Sequence, residues 1–254
     1  MGYIQLDATN IDAQHICCAI GNDAENKRNA NLKKEWMRSQ FDNGLVFYRL
    51  DERGKVFIEY MPAEFCWKPV VAPNYLVIHC LWVSGQFKGR GHSLELLNHC
   101  IIDAKSQSKA GVAVVTASKK KPFLTDKTFF AKQGFEVADQ ADPYFELMAF
   151  KFDPNSPSPA FTKTAKTGQL PDSKGLQLVY SDQCVFMDKY VESIRRIAEG
   201  MGIACTKTKL GSHLQAQKMG SPFGTLGIYY DGAFLTHELM AEGKMTTFLR
   251  ENCL

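Results

Sequence analysis

The sequence "LWVSGQFKGRGHSLELL", residues 81–97, joins an apolar β-like segment to a helical pattern through a glycine-rich loop. Three glycines, Gly85, Gly89 and Gly91, fall within seven residues and alternate with the cations Lys88 and Arg90. Glycine lets a backbone approach a ligand closely and adopt positive φ, and the first N–H groups of a helix have no partner within it. Between a strand and a helix, such a loop favours phosphate or pyrophosphate binding. A purely structural turn is the alternative.

Two common phosphate-binding motifs do not fit this loop. The string G-x-x-x-x-G-K-[ST] of a P-loop is absent from the chain. The dinucleotide motif G-x-G-x-x-G fails because Leu94 stands where the third glycine is needed. The string that fits is [Q/R]-x-x-G-x-[G/A], which here spans residues 86–91.

This string and its surroundings resemble the acetyl-CoA loop of the GNAT N-acetyltransferase superfamily. A buried strand precedes it, an amphipathic helix follows, and then come a strand, a short helix and "KQGFE". The resemblance covers residues 1–152, the predicted first domain. It implies an α/β (α+β) fold whose mixed sheet is splayed between its fourth and fifth strands, residues 75–83 and 111–118, with acyl-CoA in the gap.

The resemblance also assigns binding roles. Backbone groups of the strand end are expected to pair with the pantetheine arm, and the loop amides are expected to hold the pyrophosphate. The residues expected to bind acetyl-CoA are Leu81, Trp82, Val83, Gln86, Phe87, Lys88, Gly89, Arg90, Gly91, His92, Ser93 and Phe130. The lysines at 119–121 either contact CoA phosphates or form a solvated loop. No metal is expected.

In this family an amine attacks the thioester directly, and a tyrosine often protonates the leaving sulfur. In "FFAKQGF", Phe130 occupies the position of that tyrosine. A thiol has a pKa of about 8.5, so thiolate is a tolerable leaving group. Ser118 or a water molecule is expected to replace the tyrosine as the proton donor. The candidate bases are His79 and Glu59, the latter with a raised pKa. The alternative for His79 is a hydrogen-bonded histidine in the core, and the alternative for Glu59 is a solvent-facing strand residue.

The composition bounds the remaining possibilities. The chain has 254 residues, 45% apolar content and a net charge of +3, which gives no general case for nucleic acid binding. No apolar run is long enough to span a membrane, and residues 1–20 lack a secretory pattern. The cysteines show no C-x-x-C pair or metal spacing, so free thiols and a cytoplasmic location are expected. They are Cys17, Cys18, Cys66, Cys80, Cys100, Cys184, Cys205 and Cys253.

The second half of the chain is predicted to form a separate unit. Residues 12–40 read as helical, residues 153–175 as a partly extended linker, and residues 176–254 as β-α-β-α-β-β-α. Cys184 and Pro222 resemble the nucleophile and cis-proline positions of a thioredoxin-like fold, here of the YoaP-like C-terminal type. Met187 replaces the resolving cysteine, so this unit is expected to be a pocket or interaction domain, with a monothiol role as the alternative.

Three functions therefore follow as expectations. The first is an N-acetyltransferase that transfers an acetyl group from acetyl-CoA to a primary amine of a small molecule or peptide. The second is a non-catalytic acyl-CoA sensor, because of Phe130. The third is a monothiol redox module centred on Cys184. The sequence does not specify the acceptor or the oligomeric state.

Overall fold

A seven-stranded mixed sheet is the largest element of the fold, in a computed structural model that describes residues 2–16, 18 and 20–254. The strands of the first unit are β1 (Tyr3–Leu6), β2 (Val46–Leu50), β3 (Val56–Pro62), β4 (Val70–Val71), β5 (Tyr75–Val83), β6 (Gly111–Ala117), β7 (Glu136–Ala141) and β8 (Phe145–Lys151). The sheet order is β1-β2-β3-β5-β6-β8-β7. The pair β5–β6 is parallel and its other neighbouring pairs are antiparallel.

Helices cover both faces of this sheet, which explains the nearly continuous apolar runs of its central strands. They are α1 (Ala24–Phe41), α2 (His92–Ser106) and α3 (Lys127–Lys132). Successive side chains of a strand point to opposite faces. Thus Val112 and Val114 of β6 pack in the same cluster as Leu96 of α2, whereas Ala113 belongs to the cluster that contains Met37 of α1.

The two central strands separate partway along their length. Residues 75–78 of β5 pair with residues 111–114 of β6, and from residue 79 onward no described residue pairs with β5 on that side. On its other side, a β-bulge leaves His79 opposite no residue of β3, because Cys80 pairs with Glu59 and Ile78 with Tyr60. The predicted mixed sheet with splayed central strands is therefore confirmed.

The second unit contains a four-stranded sheet of order β11-β10-β12-β13, where β10 is Leu176–Tyr180, β11 Cys205–Lys209, β12 Leu226–Tyr230 and β13 Ala233–Thr236. The pair β10–β11 is parallel and the other two pairs are antiparallel. Its helices are α5 (Met187–Gly200), α6 (His213–Ala216) and α7 (Glu242–Cys253). The predicted element order is found here, and the thioredoxin-like description stays a prediction.

The segment between the units is more ordered than a partly extended linker. It forms β9 (Ala160–Phe161), which pairs with β4, and α4 (Lys163–Thr167). Phe161 and Ala165 are buried, and one apolar cluster contains side chains of both units. The two units therefore pack together across a shared interior, and the proposed domain bounds stay a prediction.

The predicted helix over residues 12–40 is wrong in its first half. Helix α1 begins at Ala24, because the Asp23 side chain accepts a hydrogen bond from the Asn26 N–H and caps the helix there. Residues 8–13 form turns, in which the Ala13 N–H donates to the Asn10 carbonyl at 3.1 Å. The antiparallel pairs β2–β3 and β12–β13 are hairpins between strands that are adjacent in sequence.

Candidate active site

A cleft with a volume of about 620 Å³ opens where β5 and β6 diverge. Its walls combine the free end of β5, the start of α2 and the segment that connects β6 to α3. The lining residues from the β5 side and the loop are Leu81, Trp82, Val83, Ser84, Lys88 and Ser93, and those from the other side include Val115, Lys120, Lys121, Thr125, Phe129 and Phe130. The structure thus brings the two predicted walls of the acyl-CoA gap together.

The glycine loop enters α2 through a left-handed backbone. Gly85, Gly89 and Gly91 have φ angles of 63°, 75° and 84°, and a Cβ added at any of them would meet open space. Gly91 is the N-cap of α2. Within the described part of the chain, no acceptor receives the backbone N–H groups of residues 89–93. Five donors are therefore available to an anion at the N-terminus of a 15-residue helix.

The side chains of the loop divide into two groups. Gln86, Lys88 and Arg90 are exposed. Phe87 is buried and fixes the loop, since a Cβ at Gly54 would come within 2.3 Å of its ring. The His92 ring faces Tyr3, whose hydroxyl lies 2.7 Å from His92 Nδ1. The backbone N–H of His92, and not its ring, is therefore the group available to a ligand of the loop.

A second cavity of about 110 Å³ lies between the two units and adjoins the cleft. Both cavities share Lys68, His79, Cys80, Trp82 and Phe123 as wall residues. The second unit supplies Gln183, Cys184, Val185, Phe186, Phe223 and Thr225. The first unit supplies Ile16, Cys18, Lys33, Phe47, Lys55, Phe57 and Glu59.

Glu59 forms a buried ion pair with Lys33, whose ammonium also donates to the Gln183 carbonyl of the second unit. The two side chains are 2% and 5% exposed. Burial acts to raise the pKa of Glu59, but the Lys33 ammonium and the nearby His79 outweigh it and lower that pKa to about 2. The expected raised pKa of Glu59 is therefore wrong, because its partner on α1 was not visible from the local sequence.

His79 lines both cavities, but its ring is already engaged. Its Nε2 accepts the backbone N–H of Trp67 at 3.3 Å, and its Nδ1 lies 3.4 Å from Glu59 Oε1. Burial lowers the pKa of His79 to about 4, although Glu59 partly offsets this effect. The ring is therefore neutral near pH 7, with its proton on Nδ1. This geometry favours the alternative of a core histidine, and a base role for His79 stays a prediction.

Ser118 and Phe130 lie in different places. The structure does not bring Ser118 to the cleft; it is exposed and belongs to a separate surface cavity with Glu146 and Lys166. Its placement there does not favour the expected role of a substitute acid, and that role stays a prediction. Phe130 does line the cleft, where its fully buried ring packs on Phe129 and Phe135 at centroid distances of 5.2 and 5.0 Å.

The structure also changes the prediction for the second unit. Cys184 is partly buried in the shared cavity wall, and burial raises the pKa of its thiol. Helix α5 begins three residues later, at Met187. The peptide bond before Pro222 is not among the cis bonds of the described residues, so the cis-proline position is a wrong prediction. The described cysteines are free thiols, and Cys17 lies outside the described residues.

Lys68 is the functional candidate that the sequence analysis missed. It is 3% exposed, donates to the Phe223 carbonyl at 2.6 Å, and lies 4.8 Å from the centroid of the Phe223 ring. Burial lowers its pKa to about 8, although neighbouring thiols and Glu59 partly offset this. A lone lysine inside the apolar string "CWKPV" was the available sequence signal, since lysine is rarely buried without a reason.

Two features are absent from the described residues, a metal-binding group and a membrane-spanning helix. No group of three His, Cys, Asp or Glu side chains among them is placed to hold a metal ion. Among the same residues, no helix combines the length and apolar character needed to cross a membrane.

Comparison with known proteins places these features in context. The chain is 41% identical over 249 residues to the "Uncharacterized N-acetyltransferase YoaP" of Bacillus subtilis (strain 168). The alignment covers 98% of each of the two chains. A family profile described as "YoaP-like" matches residues 207–246.

Solved structures of acetyltransferases align with about three fifths of the chain. The PaiA N-acetyltransferase from Thermoplasma acidophilum in complex with coenzyme A is 15% identical, with a TM-score of 0.41 over 60% of this chain and 100% of that chain. A GNAT family acetyltransferase from Brucella melitensis in complex with acetyl-CoA is 11% identical, with a TM-score of 0.39 over 62% of this chain and 91% of that chain.

Proposed function

The chain belongs to the YoaP family of N-acetyltransferases, and we propose that it transfers an acetyl group from acetyl-CoA to the primary amine of a small molecule. The observation that carries the proposal is the splayed strand pair β5–β6, whose cleft joins the open N-terminus of α2 at one end and the cavity between the units at the other. In this arrangement the donor, which carries a pyrophosphate, has one site, and the acceptor amine has another.

The pyrophosphate of CoA fits the glycine loop. The free N–H groups of residues 89–93 converge at the start of α2, where the helix dipole adds partial positive charge. Lys88 and Lys120 line the cleft and add positive charge close to this point. Because Gly89 and Gly91 have no side chains, an anion can approach the backbone directly.

The thioester fits the unpaired edge of β5. From residue 79 onward this edge faces the cleft without a partner strand, so backbone groups of Leu81 and Val83 are available to the pantetheine amides. The bulge at His79 interrupts the regular ladder at the point where the cleft meets the second cavity. A backbone N–H there is suited to stabilise the oxyanion that forms when an amine attacks the carbonyl.

The acceptor fits the cavity between the units. At about 10–15 Å³ for each water-sized site, about 110 Å³ holds roughly seven to eleven non-hydrogen atoms. Aromatic walls surround it, among them Phe47, Phe57, Phe186 and Phe223. A cavity of this size and character is suited to a small apolar primary amine and is too small for a folded protein surface.

A calorimetric titration with acetyl-CoA tests the donor site in the wild type, in Gly89→Glu and in Gly202→Glu. A carboxylate at about 4 Å from a phosphate costs about 4 kcal/mol at an effective dielectric constant of about 20, so Gly89→Glu should weaken binding by about three orders of magnitude. Gly202 has the same φ of 75° and the same open surroundings, so Gly202→Glu controls for backbone strain. Equal affinity in all three proteins would refute the donor site.

Thiol release with a panel of amines tests the acceptor site. We expect turnover with benzylamine, whose size matches the cavity, and little turnover with a peptide N-terminus. Phe186→Ala removes a cavity wall and should raise KM for benzylamine without changing acetyl-CoA affinity. Phe248→Ala, a half-buried phenylalanine on α7 outside both cavities, is the control. Binding of acetyl-CoA without turnover of any amine would favour the non-catalytic sensor.

A further inference from the structure

The acetyl group must pass from the CoA sulfur to the amine nitrogen at the junction between the two cavities. Five residues line both spaces, and three of them are ionisable: Lys68, His79 and Cys80. A proton must reach the CoA sulfur at this place and another must leave the attacking nitrogen. Phe130 lines the donor cleft but has no group that can donate or accept a proton.

Two of the three junction residues are unsuited to this task. His79 uses Nε2 to accept the Trp67 N–H and directs Nδ1 to Glu59, so no nitrogen of its ring faces a substrate. Cys80 is partly buried in the wall of both cavities, and burial raises the pKa of its thiol well above the ordinary value. A neutral, weakly acidic thiol neither donates a proton readily nor accepts one.

Lys68 has the geometry that the task needs. Its ammonium has three N–H donors, and one of them serves the Phe223 carbonyl at 2.6 Å. In the described part of the chain, no carboxylate lies within ion-pair distance of Lys68. A buried ammonium without an anionic partner is costly, which indicates that an anion or a proton acceptor is present during function.

Burial has the largest effect on the pKa of Lys68, and six titratable groups lie around it. Its charged or titratable neighbours are Glu59, Cys66, His79, Cys80, Cys184 and His237. Of these, Glu59 is already neutralised by Lys33. Burial lowers the pKa of Lys68 to about 8, which is close to that of a thiol, about 8.5. Proton exchange between the ammonium and a departing thiolate is then nearly balanced.

We propose that Lys68 is the proton-transfer residue of the acyl transfer, in place of the tyrosine that is absent at position 130. The amine nitrogen forms a bond to the thioester carbonyl carbon, and the C–S bond then breaks. The Lys68 ammonium gives its proton to the departing sulfur, and the resulting neutral Lys68 amine accepts the proton from the new amide nitrogen. The products are the amide and CoA thiol, and Lys68 returns to its starting state.

This inference rests on the proposed function, and a titration of bound CoA separates the two. The ultraviolet absorbance of the thiolate reports the pKa of the CoA thiol in the complex. Calorimetry with CoA on the same proteins shows whether it is bound. Suitable variants are Lys68→Met, which removes the charge at similar length, and Lys68→Arg, which keeps the charge but does not release a proton. Lys105→Met is the control, since Lys105 also lies over a phenylalanine ring but on the exposed side of α2.

We expect the bound thiol in the wild type to have a pKa lower than in Lys68→Met by about 1–3, because an adjacent cation favours thiolate. Lys68→Arg and Lys105→Met should resemble the wild type in this titration. Absence of CoA binding in the wild type overturns the proposed function and this inference with it. CoA binding with the same thiol pKa in wild type and Lys68→Met overturns the role of Lys68 alone.

Turnover of benzylamine separates proton transfer from a purely electrostatic effect. Loss of a general acid typically slows a reaction by about 10²–10⁴, so kcat should fall by this factor in both Lys68 variants and stay unchanged in Lys105→Met. The wild-type kcat should decline as the pH rises past about 8, where Lys68 loses its proton, and this decline should be absent in Lys68→Arg. A Lys68→Arg enzyme within threefold of wild type, with the same pH profile, contradicts proton transfer by Lys68.

Discussion

Replacement of Lys33 by methionine should destabilise the protein more than any exposed lysine substitution. Lys33 and Glu59 are both buried, and the Lys33 ammonium also binds the Gln183 carbonyl of the second unit. Lys33→Met leaves the Glu59 carboxylate in the interior beside a neutral His79, and it leaves the Gln183 carbonyl without this donor. The substitution therefore tests whether the pair holds the two units together.

The expected magnitude follows from the burial of the pair. Removal of one partner from a buried ion pair typically costs about 3–5 kcal/mol, because the other charge stays desolvated. In a chain of this size each kcal/mol corresponds to about 2–4 °C in Tm, so Tm should fall by about 6–20 °C. Replacement of both partners by apolar residues is often close to neutral. The double variant Lys33→Met with Glu59→Met should therefore recover most of the loss.

Thermal and urea unfolding followed by circular dichroism measure these differences. Lys189→Met is the matched control, since Lys189 forms an exposed ion pair with Glu25 between the same two units at 2.5 Å. Exposed pairs contribute about 0–1 kcal/mol, so the control should stay near the wild type. A loss below about 1 kcal/mol for Lys33→Met, or a double variant as unstable as the single one, would refute this account of the buried pair.

Two further predictions concern pH and glycine geometry. Burial lowers the pKa of His79 and His237 to about 4, below the unfolded value of 6.5, so both rings contribute stability above pH 6.5 that is lost as the pH falls toward 4. Urea titrations at a series of pH values should show a loss of up to about 1.4 kcal/mol per pH unit for each ring, and a flat profile would contradict it. Gly224 has a φ of 78°, and a Cβ there would lie 2.7 Å from the Trp67 carbonyl oxygen, so Gly224→Ala should lower Tm. Gly243→Ala in the open first turn of α7 should instead stabilise by about 0.5–1 kcal/mol, and equal Tm changes in the two variants would contradict this reasoning.

The donor side of the site could be predicted from the sequence because its determinants are local. The spacing of Gly85, Gly89 and Gly91 indicates a backbone with positive φ, and all three glycines have positive φ in the structure. The apolar runs of β5 and β6 report strands that are covered on both faces. A strand, a loop and a helix N-terminus adjacent in sequence are also adjacent in space, so the predicted cleft is found where these elements meet.

The acceptor side could not be predicted because its contacts join distant parts of the chain. Glu59 meets Lys33 across 26 positions, and Lys68 meets Phe223 across 155. Hydrophobic periodicity does not indicate which charged side chain finds which partner. Ser118 follows β6 but lines a cavity other than the cleft, because residues near one strand end face different cavities and the sequence does not give their direction.

In the mechanism that we propose, the interface between the units serves the chemistry as well as the packing. Lys68 belongs to the first unit, but its hydrogen-bond acceptor and the ring beneath it both belong to Phe223 of the second. The next residue, Gly224, approaches the Trp67 and Lys68 backbone so closely that a side chain there would overlap it. Any shift of the second unit would thus move the Lys68 ammonium and open the acceptor cavity at once. In the proposed mechanism, proton transfer and amine binding therefore depend on the same contact between Lys68 and Phe223.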